Sequence, residues 1–258
     1  MPDDIVLVDV EDGIAVVTLN RPERRNALNA ALYRRIPELL GGLDADDEVA
    51  VIILTGADPA FCAGVDLKEF GDASAAGPAG GRTTWRGFLP PLAKPVVGAI
   101  NGPCITGGLE LALACDFLVA SERARFADTH ALVGVMPGDG LTVRLPEAIG
   151  ARRAKEMSLT GNLVDAATAL AWGLVNHVVP HDDLLPAVRA LAAGMAANDQ
   201  AGVRRMLATY NEASGLHDDA AWELEDRVSR EWEGPGYDPA EIARRRGAII
   251  ERGSRQIR

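Results

Sequence analysis

The sequence predicts an α/β fold, wound from units of two strands and a helix, with a helical region at the C-terminal end. Three observations predict it. In the first half, β-rich apolar runs come in pairs ahead of helical patterns, about three times over. One such unit is written out between Pro95 and Asp116. There the short apolar run Val96–Ile100 enters an Asn101-Gly102-Pro103 turn, and Leu109–Cys115 reads as a buried helix starting at or just after Gly107-Gly108. From about residue 197 every pattern is helical, which divides a core at 1–196 from an appendage at 197–258.

In chain order, Ile5–Val10 and Ala15–Leu19 are strands separated by Glu11-Asp12-Gly13, a hairpin signal. Asn20-Arg21-Pro22 ends the second. Asn29 is the expected N-cap of a helix over Ala30–Leu40 that stops at Gly41-Gly42, with Pro37 kinking or dividing it. Val49–Leu54 is another apolar strand, closed by a turn through Asp58-Pro59. Gly71–Gly87, rich in Gly, Ala and Ser, reads as a surface loop or a lid. Phe117–Ala120 is a strand, Phe126–His130 a strand-like segment, and Gly134–Gly140 a glycine-rich loop. Helical patterns follow at Thr142–Ile149, Ala151–Leu159, Asp165–Trp172, Asp183–Ala196, Ala201–Tyr210, Asp219–Glu233 and Pro239–Arg252. The last is basic (Arg244, Arg245, Arg246, Arg252), either a solvated face or a docking surface for a partner subunit or an anionic ligand.

Composition narrows the function. A chain of 258 residues, 48% apolar, can bury a sizeable core. A net charge of −11 argues against nucleic-acid binding as its task. No apolar run approaches the roughly 18 residues of a membrane span, and Met1-Pro2-Asp3-Asp4 is unlike a signal peptide. Cys62, Cys104 and Cys115 lack CxxC or zinc-type spacing and read as reduced, buried thiols of a cytoplasmic protein. A nucleophilic Cys104 has no specific support. The sequence holds no dinucleotide fingerprint, no P-loop, no H-E-x-x-H and no G-x-S-x-G, and its four histidines lack metal-ligand spacing. Neither a metal nor a nucleotide cofactor is expected.

The chemistry concentrates at the Gly107-Gly108 helix start. Its first N–H groups have no partner within the helix, and glycine lets another molecule approach them. Such a site suits an oxygen that becomes an anion during reaction. Glu110 is the one ionisable side chain in that apolar helix, so its carboxylate either caps its own helix or serves the chemistry.

Four segments together resemble the enoyl-CoA hydratase/isomerase (crotonase) family over nearly the whole chain. They are Leu19-Asn20-Arg21-Pro22-Glu23-Arg24-Arg25-Asn26-Ala27-Leu28-Asn29, Phe61-Cys62-Ala63-Gly64-Val65-Asp66-Leu67, Ala99-Ile100-Asn101-Gly102 through Gly107-Gly108-Leu109-Glu110 to Cys115-Asp116, and Ala171-Trp172-Gly173-Leu174-Val175-Asn176-His177-Val178-Val179. The resemblance implies a crotonase-like spiral of β-β-α units, a C-terminal region that builds a homotrimer or hexamer, and an acyl-CoA thioester as substrate, as in fatty acid metabolism. It also implies an oxyanion hole made by the backbone N–H groups of Val65 and Gly107. Losing one such donor typically costs about 2.7–4 kcal/mol of transition-state stabilisation.

By the same matching, Ala27, Leu28, Ala63, Asp66, Leu67 and Gly108 line the coenzyme A site, and Arg25 is a phosphate contact or an exposed loop arginine. Asp66 reads equally as a structural turn residue. Asp139, beside Gly138, is a second candidate acid at the acyl end, with a turn role the better fit to its loop. Glu110 falls on the first of the family's two catalytic glutamates, the one that activates water. At the second position this chain has His130. Histidine exchanges protons near neutral pH, so His130 either replaces that glutamate as proton donor or fills the pocket wall. Asp128 is placed to orient it, sharing a face with it only loosely on a strand-like segment. The leading expectation is an enoyl-CoA hydratase with catalytic Glu110 and His130. Isomerisation, decarboxylation, thioester hydrolysis or silent acyl-CoA binding are the alternatives.

Overall fold

The computed structural model describes residues 5–66, 68, 87–211, 230, 240, 243, 246, 247, 250 and 251. Leu67, the expected loop or lid up to residue 86, and most of the last two helical patterns lie outside the described residues.

Strands β1 (Val6–Glu11) and β2 (Ile14–Leu19) form the expected hairpin. Asp12 and Gly13 both take positive φ, as a two-residue turn matched to strand twist requires. β3 (Val51–Gly56) and β4 (Val96–Ile100) add to β2 in parallel. β5 (Pro103–Ile105) then leaves for a second layer. β6 (Phe117–Ser121) returns to the main sheet beside β4, β7 (Arg125–Ala127) pairs with β5, and β8 (Val164–Asp165) with β7. β9 (His177–Val179) completes the six-stranded sheet, ordered β1-β2-β3-β4-β6-β9.

Alternate strand residues point to opposite faces, and both faces of the inner strands β3 and β4 are covered, while β1 is exposed beyond Val6. Ile14, Val16, Val51, Ile53, Val97, Ala99 and Val119 pack against Leu184, Val188 and Ala192 of one long helix, Leu184–Ala196. Ala15, Val17, Leu19, Ile52, Leu54, Ile100, Leu118 and Ala120 face the main core. That core is shared with helices α1 (Ala30–Ala45) and α2 (Gly107–Leu113). Burial on both sides explains why β3 and β4 are continuous apolar runs.

The second layer shows how the chain winds. β5 and β7 each follow a strand of the main sheet and precede a helix. Single-residue parallel bridges, Cys62 to Cys104 and Leu28 to Val65, extend that layer toward the N-terminal units. The result is the expected spiral of β-β-α units. Residues 200–211 are helical, as expected of Ala201–Tyr210. Among the described residues no helix is long and apolar enough to cross a membrane.

Three expectations are corrected. α1 does not stop at Gly41-Gly42 but runs to Ala45. Both glycines face open space, while Leu40 and Leu43 on either side of them stay buried. Its real end is capped from afar, by Lys94 Nζ donating to the Leu43 carbonyl at 2.8 Å and to that of Asp46. The turn after Asn101-Gly102 contains the strand β5. The strand-like segment ends at Ala127, and His130 opens a one-turn helix, α3 (His130–Val133).

Candidate active site

Three backbone segments meet at the start of α2. Leu28 N–H donates to the Gly64 carbonyl at 2.7 Å, and Asp66 N–H to that of Leu28 at 2.9 Å. On the other side, Cys62 N–H donates to Pro103 and Ile105 N–H to Cys62, both at 3.0 Å. The strand around Val65 therefore lies between Leu28 and β5. Gly64 makes this possible: its φ is +92°, and a side chain there would press on the Ile105 carbonyl at 2.9 Å. Gly108 is more tightly constrained, since a Cβ would stand 2.2 Å from the Cys62 carbonyl oxygen.

A Cβ built on Gly107 would contact Leu28 Cδ1 at 3.2 Å, Val65 Cγ2 at 3.4 Å and the Tyr33 hydroxyl at 3.6 Å. The two residues expected to supply the oxyanion hole are thus neighbours. Neither the Val65 nor the Gly107 N–H donates to another described residue. Thr106, just before Gly107, has φ +52° and ψ −111°, a conformation costing about 1–3 kcal/mol for a residue with a side chain. It is held there by its N–H donating to the Ala127 carbonyl at 2.8 Å. Its hydroxyl accepts the Thr129 N–H at 3.0 Å and is hydrogen-bonded to the Thr129 hydroxyl.

One turn into α2, Glu110 is 2% exposed. Its Oε1 accepts the backbone N–H of Asp139 at 3.0 Å, and its Oε2 faces His130 Nε2 at 3.7 Å. On the far side of the imidazole, Nδ1 lies 2.6 Å from Asp128 Oδ1, which also accepts the His130 backbone N–H at 3.0 Å. The helical turn at His130 brings ring and backbone onto one carboxylate oxygen, a tighter pairing than a strand would allow. Nδ1–H given to Asp128 leaves Nε2 to face Glu110.

Burial by itself pulls the imidazole pKa down. The Glu110 carboxylate, then the hydrogen bond and charge of Asp128, outweigh it and raise the pKa above 6.5. Burial pushes the Asp128 carboxyl up, yet its bonds to His130 and to the Ser158 side chain hold it below 3.8.

Around this centre, the Tyr33 hydroxyl on α1 donates to Asp139 Oδ2 at 3.4 Å, and its ring stacks on Phe88 with centroids 5.0 Å apart. Burial, then the charges of Asp139 and Glu110, push the Tyr33 phenol well above 10. Ala27 and Leu28 are buried and Ala63 is half-buried, while Arg25 and Gly138 are exposed. Asp66 is engaged structurally: its carboxylate pairs with Arg21 at 3.2 Å and accepts the Lys68 N–H. Cys104 is buried with its thiol pushed well above 9, first by burial and then by Cys62, and its Sγ donates to the Gly108 carbonyl. That is a packing thiol, not a nucleophile.

Sequence reasoning missed Tyr33, Thr106 and Ser158. Thr106 beside the glycine pair was the one with a readable signal, because a residue between a strand and a glycine start must absorb the turn.

A family profile described as Enoyl-CoA hydratase/isomerase matches residues 9–233. The chain is 41% identical over 204 residues to a probable enoyl-CoA hydratase 1, peroxisomal, of Arabidopsis thaliana, covering 79% of this chain and 77% of that one. It is 48% identical to an enoyl-CoA hydratase of Mycobacterium avium of known crystal structure, with a TM-score of 0.82 over 90% of this chain and 99% of that one. A monofunctional enoyl-CoA isomerase from M. smegmatis superposes with a TM-score of 0.68 at 37% identity, over 82% of this chain and 94% of that one.

Proposed function

The chain belongs to the enoyl-CoA hydratase/isomerase family, and from that premise we propose that it is an enzyme catalysing the reversible hydration of a trans-2-enoyl-CoA. The observation that carries the reading is the line Glu110–His130–Asp128, closed on one side by Asp128 and set one helical turn from the paired Val65 and Gly107. A carboxylate facing a charged imidazole holds a base and a proton donor together.

In the proposed cycle the thioester oxygen accepts the N–H groups of Val65 and Gly107, which stabilise the negative charge that develops on it. Glu110 takes a proton from water as the water oxygen bonds to the β-carbon. The π electrons move toward the α-carbon and the thioester oxygen, giving an enolate. Protonated His130 then delivers the Nε2 proton to the α-carbon. A proton passing from Glu110 to His130, across the 3.7 Å between them, restores the starting state. Asp128 keeps the ring oriented throughout. Arg25, Ala27, Leu28 and Ala63 would take the coenzyme A portion.

A mass-spectrometric screen of acyl-CoA thioesters in deuterated water tests this. Expected is one hydrated product from crotonyl-CoA or a longer enoyl-CoA, with deuterium at the α-carbon. Deuterium exchange without hydrated product would replace the reading with isomerisation, and free acid would replace it with thioester hydrolysis.

A further inference from the structure

We propose that Tyr33 is a positioning residue for Glu110, acting through Asp139 to fix which carboxylate oxygen meets the substrate. The inference rests on the hydratase reading for the role of Glu110 and goes beyond it in assigning a part to α1 and to the loop before the helix Leu141–Ile149.

The argument starts from a carboxylate with two unlike oxygens. Glu110 Oε2 faces His130, while Oε1 is held by the Asp139 backbone N–H at 3.0 Å. That donor sits in the loop Pro137-Gly138-Asp139-Gly140, whose last carbonyl accepts the N–H groups of Val143 and Arg144. The Tyr33 hydroxyl, 106 residues away in sequence, adds a tie to α1 through the Asp139 side chain at 3.4 Å. Tyr33 in turn is fixed on α1, where its N–H bonds the carbonyl of the N-cap Asn29, and by the stack on Phe88. A side chain built on Gly107 would come within 3.6 Å of the same hydroxyl. The phenol therefore stands close to the Gly107 helix start and, through Asp139, is linked to the acid/base side.

The titratable groups facing the phenol are Asp139 from the loop, Glu110 from α2 and Cys62 from the segment before Val65. The Asp139 N–H fixes Glu110 Oε1, and His130 faces the other oxygen. Removing the Tyr33 hydroxyl should then misplace the carboxylate and lower kcat with little change in KM, a split that a general loss of packing would not give.

The test compares wild type, Tyr33→Phe, Asp139→Ala and the double variant with an enoyl-CoA across pH 5–9. Expected for Tyr33→Phe is a kcat lower by roughly tenfold with KM within about twofold, the size of effect one lost hydrogen bond gives. Asp139→Ala should show the same split, and the double variant should lose no more than the worse single one. Multiplicative losses in the double variant, an unchanged kcat, or a change in KM alone would each overturn the proposal.

An ultraviolet titration of the phenol separates this from failure of the hydratase reading. Tyr33 should titrate above the ordinary tyrosine range in wild type and move down in Asp139→Ala. If that shift is present while wild type hydrates no enoyl-CoA, the hydratase reading fails and the Tyr33–Asp139 contact stands. If the phenol titrates alike in both, the contact itself is refuted.

Discussion

His130 and Asp128 are joined twice through one oxygen: Oδ1 of the carboxylate lies 2.6 Å from the ring Nδ1 and 3.0 Å from the backbone N–H of the same histidine. Ring orientation is thereby fixed relative to the main chain, and Nε2 can only present itself toward Glu110. The pair also ties the charge state of the site to the stability of the fold.

A histidine whose folded pKa lies above its unfolded value of about 6.5 gives its full stabilisation below that pH and loses it as the pH rises through the folded value. Asp128, held below 3.8, has the opposite sign: its contribution is present above 3.8 and disappears as the pH falls through its folded value. The pair is therefore most stabilising between these limits. Thermal melts should show Asp128→Asn most destabilised relative to wild type at about pH 4–6.5, with the gap narrowing above the folded pKa of His130. A gap of constant size from pH 4 to 9 would mean that the imidazole carries no charge.

Removing the proposed proton donor should cost rate more than binding. His130→Gln and Glu110→Gln are each expected to lower kcat by about 10²–10⁴, with KM changed only a few-fold. Steady-state kinetics with crotonyl-CoA decide the point. Turnover by His130→Ala equal to that of wild type would leave His130 as a wall of the pocket.

The two adjacent glycines should respond differently to alanine. At Gly108 the methyl would lie 2.2 Å from the Cys62 carbonyl, a backbone atom that cannot turn aside, so soluble folded protein is not expected. At Gly107 the nearest atoms are side-chain ends at 3.2 Å or more, which can yield. Gly107→Ala should fold, with stability within about 1–2 kcal/mol of wild type. Its methyl would crowd the space between Leu28, Val65 and Tyr33, so activity should fall by at least 100-fold, about 2.7 kcal/mol. Circular dichroism and kinetics on the two variants separate these outcomes.

The three thiols should be inert while the fold is intact. Burial pushes Cys62 up to about 12, and Cys104 and Cys115 are driven upward by burial as well. A thiol-specific chromogenic reagent at pH 8 should label none of them in native protein and all three after denaturation. Rapid labelling of one cysteine in the native state would show that its surroundings open.

Much of this was legible in the sequence because it is local. Val96–Ile100 is a strand by its apolar run and its flanking Pro95 and Asn101, and Asn29 does cap α1, accepting the Leu32 N–H at 3.0 Å. What was illegible depends on partners far along the chain. α1 passes Gly41-Gly42 because Lys94, 51 residues beyond Leu43, supplies its end. β5 is only three residues long and exists because Cys62 and β7 flank it. Glu110 was readable from its place in an apolar helix and His130 only through the family resemblance, but the Tyr33–Asp139 contact joins residues with no local pattern in common. Asp128 stood two residues from its partner in sequence, and only the helical turn at His130 shows how closely they bind.

The single-residue bridges at Leu28–Val65 and Cys62–Cys104 act as a ruler. Val65 stands in one bridge and Gly107 three residues beyond the other, so their relative placement is gauged by main-chain pairing. Glu110, His130 and Asp128 all lie outside those bridges. A scaffold gauged in this way can change its acid and base side chains one at a time without moving the main chain that carries Val65 and Gly107.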